Sequence, residues 1–343
     1  PMLTLNEKLS VIDAETLIDE YIPKLNYCVE TLLPQGLNIL GGAPKIGKSM
    51  LVLYLCDCIS KGNDFLGLKT NKSPVLYISL EDTARRLQTR LINISDEGSE
   101  EMFLVTESRT LGTGLIEQLE DFLIDYPETK LIVIDTFQLV RDENSDMSYG
   151  NDYRDVSLLK QFADNHCVSI LLVMHLRKQG DSDPFNRISG TTGIIGAADN
   201  MYILDRSDRG EGSAKLKCTG RDIETRDLEL RFNKEECKWE LVGDSLQQPE
   251  YSLPKIMFDL VDFMKAIGSF NGTNTVFCEE FRKHSGREIT AKTLKQMMNK
   301  YRHELEKANV YFQNRRTSGC RLLGISYIEI KPKTEVSEEV VFV

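Results

Sequence analysis

The sequence lacks the features that mark membrane, secreted and zinc-binding proteins. Its longest apolar runs, such as Val168 to Met174, are too short to span a bilayer, and no signal-peptide pattern opens the chain. Its eight cysteines are scattered, with no C-x-x-C pairs at zinc spacing, so we expect reduced and mostly buried thiols. These absences predict a cytoplasmic protein that has no membrane partner.

Positive charge is scarce overall, and it is unevenly distributed. The 343-residue chain has a formal net charge of −11, which argues against a wholly basic nucleic-acid coat. Residues 251–330 contain 13 Lys and Arg against 8 Asp and Glu, whereas residues 1–250 sum to −15. An acidic front part and a basic rear part, together with the length of the chain, predict two domains with separate functions.

A glycine-rich segment early in the chain carries the clearest functional signal. A predicted strand at Leu37–Leu40 runs into it, and a helical pattern at Lys48–Ser60 follows it. This order of strand, turn and helix is the context that the phosphate-binding Walker A motif, or P-loop, requires. The segment, G-x-x-x-x-G-K-S and one residue beyond, consists of Gly42, Ala43, Pro44, Lys45, Ile46, Gly47, Lys48, Ser49 and Met50.

The chemistry of this segment predicts ATP and Mg²⁺ as its ligands. Glycines let the backbone bend so that successive N–H groups and the helix N-terminus point at anionic oxygens. The Lys48 ammonium would reach the β- and γ-phosphates, and the Ser49 hydroxyl would ligate Mg²⁺. The alternative interpretation is a glycine-rich turn that binds no ligand.

Alternating apolar runs and helical patterns predict an α/β fold with a central, mostly parallel sheet extended by antiparallel strands. Buried strands are indicated at Val75–Leu80, Leu131–Ile134 and Val168–Met174, and helices at Ala84–Ile94, Gly114–Asp125 and Val156–Asn165. Four short strands with turn signals between them follow, at Met201–Leu204, Ala214–Cys218, Leu228–Phe232 and Lys238–Leu241.

Two carboxylates are predicted to complete the nucleotide site. Asp135 ends the apolar strand expected in the middle of the sheet, the place of a Walker B aspartate that helps to hold Mg²⁺; otherwise it caps the next turn. The following residue is Thr136 rather than Glu, so the carboxylate that orients the attacking water must come from elsewhere. Glu81 ends the strand after the P-loop helix and fits that role, whereas Asp82 or Thr83 is better suited to cap the next helix.

A histidine and several cations are further candidates. His175 ends the next apolar strand, where it would either sense the γ-phosphate or act as a structural group. Arg177, Lys178 and Arg187 lie in the loop that follows, where they would contact a nucleic-acid backbone or form a solvated surface. Arg221 lies at a predicted turn tip, where it would reach a neighbouring subunit's nucleotide as an arginine finger or form a salt bridge with Asp222 or Glu224.

Together these motifs resemble those of the RecA-like hexameric helicases, and most closely the RepA-type replicative helicases of plasmids, phages and integrated mobile elements. The resemblance covers about residues 25–243 and rests on the P-loop, Glu81, Ile132–Thr136 and Val173–Lys178 in this order. The stretches Gly190–Asp199 and Gly220–Asp222 are also similar to that group.

This resemblance implies a ring, usually a hexamer, with ATP between subunits and single-stranded or forked DNA in the centre. It implies Glu81 as catalytic base, His175 as sensor and Arg221 as finger, with Lys217 as a rival for the finger. A bacterial or phage-encoded enzyme of this kind would work with an initiator or a primase.

The rear segment resembles a winged-helix domain. Its three helical patterns and two strand patterns are Lys255–Ile267, Val276–His284, Thr290–Asn309, Val310–Gln313 and Arg321–Ile330. Lys292 and Lys295 lie on the outer face of the third helix, and Arg315 and Arg316 at the tip between the strands. These four residues are candidates for DNA contact, although many winged helices bind protein instead.

The predicted domain organisation has five parts. They are an N-terminal arm (1–30), a RecA-like ATPase domain (31–243), a linker (244–254), a winged-helix-like domain (255–330) and an acidic tail (331–343). The predicted function is that of an ATP-driven DNA helicase or translocase. The alternatives are a RecA- or RadA-like recombination ATPase, and an ATP-gated replication initiator or regulator that acts through the winged helix.

Overall fold

The computed structural model describes residues 11–19, 24–141, 149–177, 184–188, 192–207, 210–317 and 320–328. Its strands in chain order are β1 (Tyr27–Val29), β2 (Leu33–Pro34), β3 (Gly36–Gly42), β4 (Val75–Ser79), β5 (Met102–Val105), β6 (Leu131–Asp135), β7 (Ser169–His175), β8 (Asn200–Arg206), β9 (Ser213–Gly220), β10 (Arg226–Asn233), β11 (Lys238–Asp244), β12 (Ser269–Thr273), β13 (Val310–Thr317) and β14 (Cys320–Tyr327). Its α-helices are α1 (Ala14–Asp19), α2 (Lys48–Lys61), α3 (Ala84–Ile94), α4 (Leu115–Asp125), α5 (Tyr149–His166), α6 (Thr192–Ala197), α7 (Lys255–Ile267), α8 (Asn274–Ser285), α9 (Ala291–Lys300) and α10 (Arg302–Lys307).

A nine-stranded sheet forms the centre of the protein, in the order β11-β10-β9-β8-β3-β7-β6-β4-β5. The strands from β8 to β5 in this order are parallel, and β9, β10 and β11 extend the sheet by antiparallel pairing. This architecture confirms the predicted fold class. It is a mixed α/β fold with a mostly parallel sheet, as in RecA-like helicases.

The apolar runs become central strands because helices cover both faces of the sheet. In β6 the side chains of Leu131 and Val133 enter one hydrophobic core, and those of Ile132 and Ile134 enter the core on the opposite face. All four side chains are fully buried, and each such burial stabilises the fold by about 1.5–3 kcal/mol. A strand with two buried faces needs apolar residues at every position, which explains why these runs do not alternate.

The helix predicted at Val156–Asn165 begins earlier than expected. Helix α5 starts at Tyr149, and its first two turns are mostly polar. The guanidinium of Arg141 pairs with the carboxylates of Asp152 and Asp155, and all three side chains are buried. These three charged residues therefore form a buried ion-pair cluster. The sequence pattern alone does not show whether such charges are buried or exposed to solvent.

A second, smaller unit follows the central sheet, and we call residues 255–327 the C-terminal module. It has a hydrophobic core of its own, which includes Leu260, Phe277, Phe281 and Leu323. Its helices α7 to α10 pack with a three-stranded sheet of order β12-β14-β13. The strand β12 was not predicted, because its sequence Ser-Phe-Asn-Gly-Thr is mostly polar.

Two predictions for the C-terminal module need correction. The third helix does not run unbroken from Thr290 to Asn309, since it divides at Tyr301 into α9 and α10. Arg315 and Arg316 do not lie in a turn but pair with Leu322 and Arg321 in the ladder between β13 and β14.

The chain termini are described only in part. Helix α1 is described over Ala14–Asp19, and Val11, Leu17 and Ile18 are exposed beside and along it. The predicted acidic tail (331–343) and residues 1–10 of the predicted arm lie outside the described residues. Within the described ranges, no helix combines the length and the apolar character that a membrane span requires.

Candidate nucleotide-binding site

The parallel strands end together at one edge of the sheet, and the predicted site residues follow these ends. The register aligns Gly42 of β3 with His175 of β7, and Ser79 of β4 with Asp135 of β6. Because all these strands run in the same direction, their carboxyl ends form one edge, where open α/β sheets bind their ligands. The P-loop begins directly after Gly42, and Glu81 lies two residues after Ser79.

The backbone of the P-loop bends sharply before α2. Gly47 adopts a left-handed conformation with φ of 103° and serves as the N-cap of α2. Lys45 also has a positive φ, 62°. The free N–H groups at the start of a helix face an anion favourably. Lys48 and Ser49 occupy the first turn of α2, and Met50 follows them, so all three lie at this helix N-terminus.

The Lys48 side chain folds back over the loop. Its Nζ donates to the carbonyl oxygens of Gly42 at 2.8 Å and Ala43 at 3.1 Å, and it lies 3.4 Å from Nδ1 of His175. The side chain is buried, and this burial lowers the pKa of its ammonium, while the charges of Asp135 and Glu81 act in the opposite direction. An ammonium that donates to two uncharged carbonyl oxygens can exchange them for the anionic oxygens of a phosphate.

His175 connects Lys48 to Glu81. An ammonium can only donate, so Nδ1 of His175 must be the acceptor in its contact with Lys48, and the proton of a neutral imidazole then resides on Nε2. That Nε2 lies 3.5 Å from Oε1 of Glu81. The structure thus brings three predicted site residues, from a helix, a strand end and a loop, into one chain of polar contacts.

Asp135 lies beside this chain and is held by its neighbours. The Tyr77 hydroxyl donates to Oδ2 of Asp135 at 2.8 Å, and burial raises the pKa of Tyr77 well above its ordinary value. The hydroxyl of Thr136 donates to the carbonyl of Val173 at 2.8 Å. Thr136 therefore fixes the end of β6 against β7, and the carboxylate of Asp135 offers the kind of oxygen ligand that Mg²⁺ prefers.

The capping question at the start of α3 has a clear answer. The Thr83 hydroxyl accepts from the backbone N–H of Arg86, so Thr83 is the N-cap, as the sequence suggested. Asp82 pairs with Arg90 and, at 3.9 Å, with Arg86. Glu81 has neither task, and about half of its side chain is exposed at the carboxyl edge.

A site residue that sequence reasoning missed is Trp239 in β11, the only tryptophan of the chain. Its Nε1 donates to the carbonyl of Gly47 at 3.3 Å. A Cβ atom on Gly47 would lie 3.0 Å from the indole ring. No local pattern could have indicated this contact, because it joins positions 192 residues apart.

Arg221 lies far from this edge of the sheet. Strand β9 runs antiparallel to β8, so its end at Gly220 faces the start of β8 at Asn200, on the opposite edge. The Arg221 side chain is 64% exposed and lies 3.6 Å from Asp199, which replaces the predicted partners Asp222 and Glu224. Lys217 is 34% exposed and lies 3.9 Å from Asp227. Arg221 can therefore not serve the nucleotide site of its own subunit.

The predicted DNA-contact residues fall into different environments. Arg177 is exposed directly after β7, and Lys178 lies outside the described residues. Arg187 is half-buried and pairs with Asp205 at 2.9 Å, so it is engaged within the subunit. In the C-terminal module Lys292 and Arg315 are exposed and Lys295 is half-buried, whereas the Arg316 side chain is outside the described set.

Comparison with known proteins agrees with this geometry. A family model described as an AAA domain matches residues 6–181, about half of the chain. The chain belongs to this AAA domain family. Two curated relatives are the DNA repair protein RadA of Streptococcus pyogenes serotype M6, 27% identical over 153 residues, and RadA of Streptococcus pneumoniae strain R6, 28% identical over 154 residues. Each match covers 43% of this AAA domain protein and about a third, 30% and 32%, of the relative.

A solved structure of a DnaB-like replicative helicase, described with its interactions with primase, is similar to this AAA domain protein. The TM-score is 0.50 and the sequence identity is 16%, over 60% of this chain and 57% of the other. At this identity the likeness concerns the fold. The AAA family match and the P-loop geometry make the carboxyl edge of the sheet the candidate nucleotide-binding site of this protein.

Proposed function

We propose that this protein is an ATP-driven DNA helicase or translocase, of the ring-forming RepA type encoded by mobile elements, plasmids or phages, which works in the bacterial cytoplasm. The observation that carries the proposal is the contact chain from Lys48 through His175 to Glu81, beside Asp135, in a RecA-like sheet. It unites a phosphate-binding cation, a sensor of the γ-phosphate and a carboxylate at one edge. A simple nucleotide-binding switch needs the cation but not the carboxylate.

The residues divide the work of ATP hydrolysis as follows. Backbone N–H groups of Gly42–Met50 cradle the phosphates, and Lys48 exchanges the carbonyls of Gly42 and Ala43 for phosphate oxygens. Ser49 and Asp135 would hold Mg²⁺, which when bound would offset the negative charge of the phosphates. Glu81 orients a water molecule for in-line attack, and His175 detects the γ-phosphate because it contacts both Lys48 and Glu81.

The second half of the site comes from a neighbouring subunit in this proposal. Arg221 is exposed at the edge of the sheet opposite to the P-loop, as a residue that acts on another subunit's nucleotide must be. A closed ring, with a hexamer as its usual size, places this edge of each subunit against the nucleotide edge of the next. Single-stranded DNA would pass through the centre beside Arg177 and Lys178, and Arg187 contributes only if it leaves Asp205.

The deciding experiment measures ATP hydrolysis with and without single-stranded DNA, together with unwinding of a forked duplex. We expect DNA to stimulate hydrolysis about tenfold or more, and unwinding to require ATP and Mg²⁺. Replacement Lys48→Ala should reduce both activities by about 10²-fold or more, because the buried ammonium contributes charge-assisted bonds to the phosphates. A rate that does not respond to single-stranded DNA, with no unwinding, contradicts the motor function.

The same experiment separates the alternative functions. The RadA relatives support a recombination ATPase as the second candidate. Such an enzyme would pair homologous strands without directional unwinding. An ATP-gated initiator or regulator would instead bind one duplex sequence tightly, and single-stranded DNA would leave its ATPase rate unchanged.

The C-terminal module is proposed to be a winged-helix domain that binds duplex DNA, and a partner such as an initiator or a primase would assemble there or on the ATPase ring. Helix α9 exposes Lys292, with Lys295 and Lys300 further along, and Arg315 is exposed on β13. Lysine and arginine side chains on one helix and a neighbouring strand can grip successive phosphates. The surplus of positive charge in residues 251–330 supports this proposal.

The module's role can be tested by charge reversal. The double replacement Lys292→Glu and Lys295→Glu should weaken duplex binding about 10- to 100-fold. It should also lower the salt dependence of binding, because a protein that contacts fewer phosphates releases fewer counterions from the DNA. Lys307→Glu reverses a single charge on exposed α10 and should have little effect, less than either Lys292→Glu or Lys295→Glu alone. Equal losses for both replacements, or no loss for either, would exclude α9 as the DNA-binding helix. Affinities are measured by fluorescence anisotropy at several salt concentrations.

A further inference from the structure

Trp239 contacts the P-loop although it belongs to the edge strand of the sheet. Three strands, β10, β9 and β8, lie between β11 and β3 in the sheet order. The sheet nevertheless curves so far that β11 packs against α2. Lys238 lies over the ring of Tyr54 of α2 at 5.8 Å, and the Trp239 side chain is only 6% exposed within the core that covers α2.

The contact concerns the most constrained residue of the loop. Gly47 has φ of 103° and ψ of 19°, and its carbonyl accepts two hydrogen bonds, one from the N–H of Leu51 at 3.0 Å and one from Nε1 of Trp239 at 3.3 Å. The indole ring also lies against the Cα of Gly47, where even a Cβ atom would meet it at 3.0 Å. The ring and its N–H therefore limit both the position and the orientation of Gly47.

The orientation of this carbonyl determines the direction of a phosphate-binding N–H group. The carbonyl of Gly47 and the N–H of Lys48 belong to one planar trans peptide, in which they point in opposite directions. A carbonyl that is held toward α2 and Trp239 keeps the Lys48 N–H directed to the concave side of the loop. That side is where the helix N-terminus receives an anion.

We propose that Trp239 is a positioning residue of the nucleotide site, which fixes the peptide between Gly47 and Lys48 for phosphate binding. The antiparallel extension of the sheet is then part of the ATP site. Trp239 acts through Gly47 and does not touch the reacting atoms. The proposal rests on ATP binding at the P-loop but not on a helicase activity.

Phe232 offers a matched control for substitutions of Trp239. Its ring packs edge to face on Trp239, with the ring centroids 5.2 Å apart. It is half-buried in the same core. Phe232→Leu therefore removes aromatic packing from this region and leaves the indole N–H of Trp239 in place. Differences between the Phe232 and Trp239 variants report the contact with Gly47 rather than general loss of core packing.

The experiment measures ATP affinity by calorimetry and the steady-state constants of the full chain. We expect Trp239→Phe, which keeps a ring but loses the donor, to weaken ATP binding about threefold, and Trp239→Leu about tenfold. KM for ATP should rise in parallel while kcat changes less than about twofold, since a mispositioned P-loop affects binding before chemistry. Phe232→Leu should change the affinity by less than about twofold.

The tryptophan provides a second measurement on the unmodified chain. Because Trp239 is the only tryptophan, its emission should change saturably as ATP is added, with the calorimetric Kd, and Lys48→Ala should abolish the change. The proposal is overturned if saturating ATP leaves the emission unchanged, if both Trp239 variants bind ATP like the wild type, or if Phe232→Leu weakens binding as much as Trp239→Leu. Loss of ATP binding by the wild-type chain would instead contradict the proposed function itself.

Discussion

Replacement of Arg221 by alanine is expected to lower kcat for ATP hydrolysis by about 10³-fold, because an arginine finger neutralises charge that develops in the transition state. ATP affinity should change little, since the finger acts after the nucleotide is bound. Lys217→Ala should have a much smaller effect. Lys217 is less exposed than Arg221 and lies within a strand, near Asp227.

The Arg221 side chain can turn from its own subunit toward a neighbour at a small cost in free energy. Its contact with Asp199, at 3.6 Å, joins an exposed guanidinium to a buried carboxylate, so losing it costs little only if the carboxylate keeps other partners. Asp199 remains satisfied without Arg221, because Oδ2 accepts from Lys160 at 2.8 Å and from the N–H of Leu37 at 2.9 Å. The Arg221 side chain can therefore move away from Asp199 without leaving this buried carboxylate unpaired.

Mixed rings distinguish a finger that acts on the neighbour from one that acts within its subunit. Arg221→Ala keeps an intact P-loop but lacks the finger, and Lys48→Ala keeps Arg221 but lacks the phosphate-binding lysine. Each variant alone is therefore expected to be inactive. A one-to-one mixture should regain activity, because about a quarter of the interfaces then combine an intact P-loop with an intact finger from the next subunit. A mixture as inactive as its components would exclude action between subunits. Subunit exchange is verified by size-exclusion chromatography of labelled chains.

The parallel part of the fold could be predicted because both faces of its strands are buried. Full burial favours apolar residues at Leu131–Ile134 of β6 and at Ile170–Met174 of β7, and the change to polar residues then marks the edge where ligands bind. The bounds of α3 agree with their prediction, and the P-loop sequence lies between β3 and α2. The contact between His175 and Glu81 follows from this common edge.

Other features could not be predicted because distant segments determine them. The charges of Arg141, Asp152 and Asp155 pair with one another inside the protein. The polar residues before the predicted helix are therefore partly helical and partly buried. The contact of Trp239 with Gly47 depends on the curvature of the whole sheet. Arg187 was predicted to contact DNA. It pairs instead with Asp205 of β8, a contact that only the tertiary fold brings about. Sequence patterns report local periodicity and burial, but they do not report which charges meet.

Replacement of Glu81 by glutamine is expected to lower kcat by about 10²- to 10⁴-fold, the usual contribution of a positioned acid–base group. Glutamine has the same size and can still accept from Nε2 of His175, but it lacks the charge that polarises the attacking water. The Kd for ATP should stay within about threefold of the wild-type value, because Lys48 and the loop N–H groups remain. Single-turnover hydrolysis and calorimetric binding of ATP measure the two quantities separately.

The neighbouring carboxylate supplies the control for this replacement. Asp82 is one residue away, but its side chain is almost buried and pairs with Arg90 and Arg86 of α3. Asp82→Asn should therefore lower the free energy of unfolding but leave kcat nearly unchanged. If Glu81→Gln keeps kcat within about threefold, or if Asp82→Asn reproduces its loss, Glu81 does not orient the water. Thr136 occupies the position after Asp135 and bonds the Val173 carbonyl, so we expect the contact of Glu81 with His175 to couple γ-phosphate binding to water activation.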